Sequence, residues 1–388
     1  MWLIVLAPMK VYFDNAATTP LDPEVFEAMK PMLLQYFGNP SSIHAHGREV
    51  RTAIEKARKT IANLIGASPS EIFFTSGGTE ADNMAIRSCV KTYNIKTAIS
   101  EPLEHHAVLH SMDTIEKDFG VKVTYLNVDK KGNLDYNQLE HFLKENPNSL
   151  VSIMHANNEI GNKNDIELIG RICKENGAFF HSDTVQTMGH FSHNVKELNV
   201  DFLVGSAHKF HGPKGVGFIY INSDRKIEPL LHGGSQERLM RGGTENVSGI
   251  IGLAKALEIA YANMEEHKNH INTLKQRMID GFKENIEGIE FNGLSEDLEN
   301  SLYTVLSVNF PSSSLNEMLL FNLDIHGISA SGGSACTSGA NAGSHVLGGI
   351  NADPLRPTIR FSFSKYNTIN EVDYAVKSVS TMFEKKLF

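Results

Sequence analysis

The chain has 388 residues, 41% of them hydrophobic and 21% charged, a length that suggests two domains and a composition that supports a large packed core. A net charge of −9 without any Lys/Arg stripe argues against nucleic acid or an anionic lipid surface as the primary partner. The three cysteines, Cys89, Cys173 and Cys336, cannot all pair and offer no CxxC spacing for zinc, so no metal site is expected and a reducing cytoplasm suits them.

The apolar run between Met1 and Pro8 is too short to span a bilayer and lacks a basic start and a cleavage site. Met9 is an alternative start, which would leave residues 1–8 as an upstream extension; an edge strand or a disordered tail reads equally well. Further on, 48–65 places Val50, Ile54, Ala57, Ile61 and Leu64 on one face and closes on Gly66, as a helix does. Short apolar runs at 72–75, 97–100, 121–126, 150–154, 179–182 and 202–204 read as strands. Amphipathic stretches of helical length separate them, among them 165–175, which stops just ahead of Gly177. This alternation specifies an α/β fold, a mostly parallel sheet with helices on both faces. A further strand at 216–221 follows its predecessor too closely for an intervening helix, a spacing that fits an antiparallel course. Beyond Gly252 a long helical region, 253–287, leads to strands near 304–309 and 358–363 and a last helix from Ile369. That is the pattern of a smaller α+β domain joined to the first by a long helix.

Three segments at expected strand ends carry chemistry. In Phe74-Thr75-Ser76-Gly77-Gly78-Thr79-Glu80 a strand gives way to a helix, where glycines and free N–H groups favour a phosphate. Gly78, Thr79 and Ser76 would hold it, although a plain strand–helix turn has the same pattern. Phe179-Phe180-His181-Ser182-Asp183 ends an apolar strand on a carboxylate, at the edge where open α/β sheets bind ligands. Asp183 there can pair with a protonated pyridine nitrogen or cap a helix. Past the next strand, in Ser206-Ala207-His208-Lys209-Phe210-His211-Gly212-Pro213-Lys214-Gly215, Lys209 is placed for a Schiff base if its amine is desolvated or near other cations. Lys214 competes for that role. Phosphate cradle, pyridinium partner and imine-forming amine together point to pyridoxal 5′-phosphate. A nicotinamide dinucleotide would need a GxGxxG turn after an early strand, which is missing.

Two segments lie outside that set. Glu104-His105-His106 follows a strand and a turn, so an imidazole could cover a cofactor ring and carry protons. Ala330-Ser331-Gly332-Gly333-Ser334-Ala335-Cys336-Thr337-Ser338-Gly339 is small and polar, with nothing to bury its cysteine. Cys89 and Cys173 read as inert buried thiols instead.

In order, these motifs closely resemble the cysteine desulfurases of the NifS/IscS type, within aminotransferase class V. The resemblance runs from Tyr12-Phe13-Asp14-Asn15-Ala16-Ala17-Thr18-Thr19-Pro20 to Ile359-Arg360-Phe361-Ser362. It includes Gly38-Asn39-Pro40-Ser41-Ser42, Ser152-Ile153-Met154-His155-Ala156-Asn157-Asn158-Glu159-Ile160-Gly161 and Arg241-Gly242-Gly243-Thr244-Glu245-Asn246. It implies fold type I of the pyridoxal-phosphate transferases, with a seven-stranded, mostly parallel sheet. The large domain would span residues 16–258, and residues 9–15 and 259–388 would form the small one.

By the same resemblance Lys209 is the Schiff-base lysine, Asp183 the partner of the ring nitrogen and Gln186 that of the phenolic oxygen. His105 stacks on the ring as an acid/base group, and Gly78, Thr79, Ser206 and His208 bind the phosphate. Thr244 reaches the phosphate of a neighbouring subunit, which implies a homodimer. Asn158 and Arg360 meet the substrate carboxylate, and Cys336 takes sulfur from L-cysteine as a persulfide, leaving alanine. An iron–sulfur scaffold or a tRNA-thiolation partner would be the acceptor. The chain stops at Phe388 without the longer tail of some housekeeping members, and the Cys336 loop has the long-loop pattern. Another class-V aminotransferase, a selenocysteine lyase and a catalytically silent homologue are the alternatives.

Overall fold

The structure is a computed structural model that describes residues 9–313, 316–332 and 343–384. Residues 1–8 and Cys336 lie outside the described residues.

The chain opens with β1 (Val11–Tyr12), α1 (Pro23–Leu34) and α2 (Ala45–Leu64). Asp22 starts α1 by accepting from the Glu24 N–H at 2.8 Å, and Pro23 follows where a missing N–H does no harm. Next come β2 (Ile72–Thr75), α3 (Gly78–Tyr93), β3 (Thr97–Ser100), α4 (His106–Phe119) and β4 (Lys122–Tyr125). Asn94 and Gly120 close α3 and α4 in the left-handed conformation, the usual helix stop. The alternation continues through α5 (Tyr136–Glu145), β5 (Leu150–Ser152), α6 (Ile166–Glu175), β6 (Phe179–Asp183), the short α7 (Val195–Leu198), β7 (Phe202–Ser206) and β8 (Gly217–Ile221).

Seven strands form one sheet in the order β2-β8-β7-β6-β5-β3-β4. Strands β3 to β7 run parallel, and β8 runs antiparallel to both its neighbours. Residues 216–221 thus take the antiparallel course that their short connection fits. Because the direction reverses twice, β2 runs the same way as β7. The carboxyl ends of β2, β3, β5, β6 and β7 therefore share one edge. Every residue of β2, β6, β7 and β8 is buried, so these strands show no alternation of buried and exposed positions. Ile54, Ile61, Phe180 and Leu253 pack in one core cluster, and Ala85, Cys89, Val108 and Phe202 in another.

The remaining elements are α8 (Val247–Ala262), α9 (Met264–Asn285), β9 (Glu290–Phe291), β10 (Val305–Asn309), α10 (Leu319–Ile325), β11 (Ile328–Ser329), α11 (His345–Gly349), β12 (Thr358–Ser362) and α12 (Ile369–Glu384). The long helical region expected at 253–287 is two helices that meet at Asn263. The Asn263 side chain donates to the Ile259 carbonyl at 2.9 Å, which offers the backbone an alternative to helix. The break lets α8 pack against α1 and α2 while α9 turns the stripe Ile271, Leu274, Met278 and Phe282 into a separate core. That core also holds Phe13 and Phe361. Strands β12, β10 and β9 form an antiparallel sheet there, and β1 pairs with β11 in parallel.

Candidate active site

At the shared carboxyl edge of the large sheet lies a cavity of about 290 Å³. Its wall after β2 is the start of α3. Gly77 stands at the cap and no side chain caps the helix there, which leaves its first N–H groups directed at the cavity mouth. A Cβ on Gly78 would come within 2.6 Å of Val185 Cγ2, so only glycine lets the helix start this close. The turn is held from behind, where Glu80 accepts from the Ser76 N–H at 2.9 Å and from Arg241 Nε at 2.8 Å. Thr79, Ser206 and His208 line the same cavity.

Lys209 enters from the turn Ala207–Lys209 that follows β7. Gly212 makes this turn possible, since a Cβ there would meet Ala207 Cβ at 2.7 Å. Lys209 Nζ donates to the carbonyls of Ala16 and Ala17 at 2.6 and 3.0 Å, which fixes the Tyr12–Pro20 motif against it. Lys214 is exposed and does not line the cavity. Asp183 closes β6, and no helix follows it; its Oδ1 accepts from the Val185 N–H at 2.8 Å. Gln186 lines the cavity and donates to Ala16 O at 3.1 Å. His105 caps α4, its Nδ1 accepting from the Ala107 N–H at 3.1 Å, so the neutral ring carries its proton on Nε2.

Arg360, on β12, crosses into the cavity although 1% exposed. It donates to Asp14 Oδ1 and to the Asn158 carbonyl, both at 2.9 Å. Its Nε has no partner among the described residues. Burial raises the pKa of Asp183, opposed by the Val185 N–H and by Lys209. Burial and Lys209 lower that of His105 to about 4, with smaller contributions from His345 and His110. His208 is lowered to about 4, by burial and by Lys209 and Lys214.

Ten of the sequence-selected residues thus meet here: Gly78, Thr79, Ser206 and His208 at one end, Lys209, Asp183, Gln186 and His105 in the middle, Asn158 and Arg360 at the other. Thr244 does not join them; it is exposed and lines a separate cavity of about 160 Å³ with Ser76 and Arg241. Cys89 and Cys173 are buried, and burial raises both thiol pKa values. Two residues with no expected role also belong to the site. Asp14 holds the Arg360 fork, and Asp82, one helical turn after Gly78, lines the cavity. The i, i+4 spacing from the glycine turn was the available signal for Asp82. The set suits pyridoxal 5′-phosphate: an uncapped helix start and a glycine that tolerates no Cβ for the phosphate, a buried carboxyl for the ring nitrogen, and an amine between them.

Residues 11–375 match the aminotransferase class-V family. The chain belongs to that family. It is 46% identical over 382 residues to a protein of Dictyoglomus turgidum (strain DSM 6724 / Z-1310) named cysteine desulfurase IscS, covering 97% of this chain and 95% of that one. A solved NifS-like protein superposes with a TM-score of 0.89 at 40% identity, over 97% of this chain and all of the other. Another, SspA in complex with cysteine, gives 0.80 at 32% identity over 93% of this chain and 100% of that one. The fold is accordingly the α/β fold of type I pyridoxal-phosphate enzymes, and the kinship within the family is to cysteine desulfurases. Among the described residues no helix is long and apolar enough to cross a membrane.

Proposed function

We propose that this chain is a pyridoxal-phosphate-dependent cysteine desulfurase that converts L-cysteine to L-alanine and keeps the sulfur on its own thiol. The observation that carries the reading is the meeting of Lys209, Asp183, His105 and the uncapped α3 start in one cavity whose far wall is Arg360. Bound through Lys209, the cofactor would supply an electron sink that weakens bonds at the substrate α-carbon. Asp183 would hold the proton of the ring nitrogen, and Gln186 would pair with the phenolic oxygen. Gly78, Thr79, Ser206 and His208 would hold the phosphate and so keep the ring in register with Lys209. His105, neutral at physiological pH and protonated on Nε2, would stand against the ring and move protons. The Lys209 amine, which lines the same cavity, would share that work. Arg360 and Asn158 orient the substrate carboxylate, with Asp14 fixing the guanidinium.

Cys336 is the thiol that receives the sulfur in this reading. The described residues on either side of its segment are bonded to residues of the site and their chain neighbours. Ser331 pairs through its backbone with Arg360 and through Oγ with Asp14, at 2.7 Å for the Arg360 N–H and 2.7 Å for Asp14 Oδ1. Ser344 donates to Glu159 at 2.6 Å, and His345 contacts the Glu104 carbonyl at 2.9 Å. The Cys336 thiolate would attack the substrate sulfur and form the persulfide S–S bond as the carbon–sulfur bond breaks; the bonding pair would stay with the substrate carbon, which takes up a proton before alanine leaves.

The exposed Thr244 fits a homodimer in which it serves the other subunit, and an iron–sulfur scaffold or thiolation protein in the cytoplasm is the acceptor class. The domain division at residues 16–258, with 9–15 and 259–388 as the smaller part, belongs to the same reading. The test is to add L-cysteine and a thiol reductant to the protein loaded with pyridoxal 5′-phosphate. Alanine and sulfide should form in equal amounts, and Cys336→Ser should bind the cofactor and yield neither. Alanine production by Cys336→Ser at the wild-type rate would refute the role of that thiol, and amino-group transfer without sulfide would favour an aminotransferase.

A further inference from the structure

The floor of the cavity holds a buried polar chain that the mechanism above does not use. Asp82 reaches it from α3 and is 1% exposed, and His181 and Ser152 behind it are 0% exposed. Asp82 Oδ1 lies 3.4 Å from His181 Nε2, and neither atom has a hydrogen-bond partner among the described residues. His181 Nδ1 is 2.8 Å from Ser152 Oγ, its neighbour across the parallel β5–β6 pair. His181 and Asp183, two residues apart on β6, project to the same face of the sheet.

We propose that Asp82 is a positioning residue: a neutral carboxylic acid that donates to His181, which donates to Ser152, leaving Asp183 as the single anion for the cofactor ring nitrogen. The proposal rests on the cofactor reading above. A buried carboxyl oxygen and a buried imidazole nitrogen facing each other across this gap require a proton between them. Its location follows from the surroundings. Asp82 is faced by His181 and Asp183 from β6 and by Glu104 from the β3–α4 connection; Glu101 faces Glu104, and Lys209 faces Asp183. One ammonium cannot keep four buried carboxyls ionised. Burial raises Asp82 well above the ordinary carboxylate range and lowers His181 to about 3, so the acid keeps its proton and the imidazole stays neutral. With Nε2 accepting, the ring's own proton sits on Nδ1 and goes to Ser152 Oγ. The acid proton is thereby aimed away from Asp183, whose charge stays available to the ring.

The test has two arms on the full chain. Infrared difference spectra in D2O at about neutral pH, wild type minus Asp82→Asn, should show the loss of one neutral carboxylic-acid band, in the cofactor-free protein as in the loaded one. Titration with pyridoxal 5′-phosphate should show Asp82→Ala weakening cofactor retention about tenfold, the effect of stranding a buried acceptor, with Asp82→Asn recovering most of it because the amide still donates to His181. The pH midpoint of the bound cofactor's visible absorbance should move in Asp82→Ala and return toward wild type in Asp82→Asn. Loss of an ionised carboxylate band, or an Asp82→Asn variant as impaired as Asp82→Ala, overturns the proposal. A wild type that develops no imine absorbance with pyridoxal 5′-phosphate overturns the cofactor reading itself, a different result from a normal wild-type band with Asp82 ionised.

Discussion

Two regions of this molecule bury charge, and they treat it in opposite ways. Next to β2, Arg58 and Glu237 are each 3% exposed in their side chains and make a two-pronged pair with both contacts at 2.8 Å. The same guanidinium donates to Ile72 O and lies over the Phe74 ring, while the Phe74 N–H donates to Glu237. Every prong is used. These bonds also hold Glu237, Arg238 and Leu239 in left-handed backbone at φ 44, 55 and 69°, a conformation that non-glycine residues sustain only when the surroundings over-determine it. At the carboxyl edge of the sheet, Asp82 Oδ1, Glu104 Oε2, His181 Nε2 and Arg360 Nε are buried with no partner among the described residues. Buried polar groups are ordinarily paired, so leftover capacity around the cavity is room for a ligand or a proton, and the complete pairing next to β2 is architecture.

The largest effect should separate the two regions completely. Lys209→Ala should eliminate the imine absorbance and all turnover with L-cysteine, yet leave the unfolding midpoint near wild type, because Lys209 lines a cavity and packs no core. Imine absorbance surviving in Lys209→Ala and vanishing in Lys214→Ala would place the chemistry on the wrong lysine. Arg58→Ala should do the reverse. Removing one partner of a buried pair strands the other at about 3–5 kcal/mol, measurable in denaturant titrations, while KM for cysteine stays put. A large KM change in Arg58→Ala would blur the distinction between the regions.

How much of this was legible in the sequence depended on range. Strand ends, glycine turns and the lysine were readable because each depends on neighbours a few residues away; residues 72–75 and 97–100 match β2 and β3 to the residue. The division of residues 253–287 into two helices was missed, since Asn263 is unremarkable until the separate cores on either side are known. Asp14 and Asp82 were missed for a related reason. Asp14 bonds Arg360 across 346 positions, and Asp82, on α3, faces a histidine of β6, pairings that only the tertiary fold brings together.

Acid should expose the neutral histidines of the cavity surroundings. His211, next to the Lys209 turn, is lowered to about 4, chiefly by burial, against about 6.5 in the unfolded chain. Its folded form therefore refuses a proton that the unfolded chain accepts, and stability is lost as pH falls from about 6.5 toward 4. His211→Asn, tolerable at φ 66°, removes that penalty. The wild type should lose roughly 2–3 kcal/mol relative to the variant across this window, read from urea unfolding at each pH. Parallel stability curves for the two proteins would mean that His211 titrates normally. Arg360→Ala comes next in size: losing hydrogen bonds from a charged group costs roughly 1.5–3 kcal/mol, or about ten- to a hundredfold in affinity for cysteine. An unchanged cysteine titration would remove Arg360 from the substrate site.

The smallest effect expected on turnover belongs to the thiols on the architectural side of the contrast. Cys89 lies in α3 and Cys173 in α6, 0% and 1% exposed. Burial, with Asp201 adding to it, pushes both thiols upward in pKa, so neither is a thiolate able to attack sulfur. Cys89→Ser and Cys173→Ser should each retain wild-type alanine and sulfide production. Each should lose about 1 kcal/mol of stability, the net cost of burying a hydroxyl whose proton can still bond the preceding helical turn. Mass spectrometry of the wild type after brief exposure to cysteine should then place the extra sulfur on the peptide that carries Cys336. Extra sulfur confined to the Cys89 or Cys173 peptide would mean that a thiol on the fully packed side performs the chemistry, and that leftover bonding capacity at the sheet edge is a poor guide to where this chain reacts.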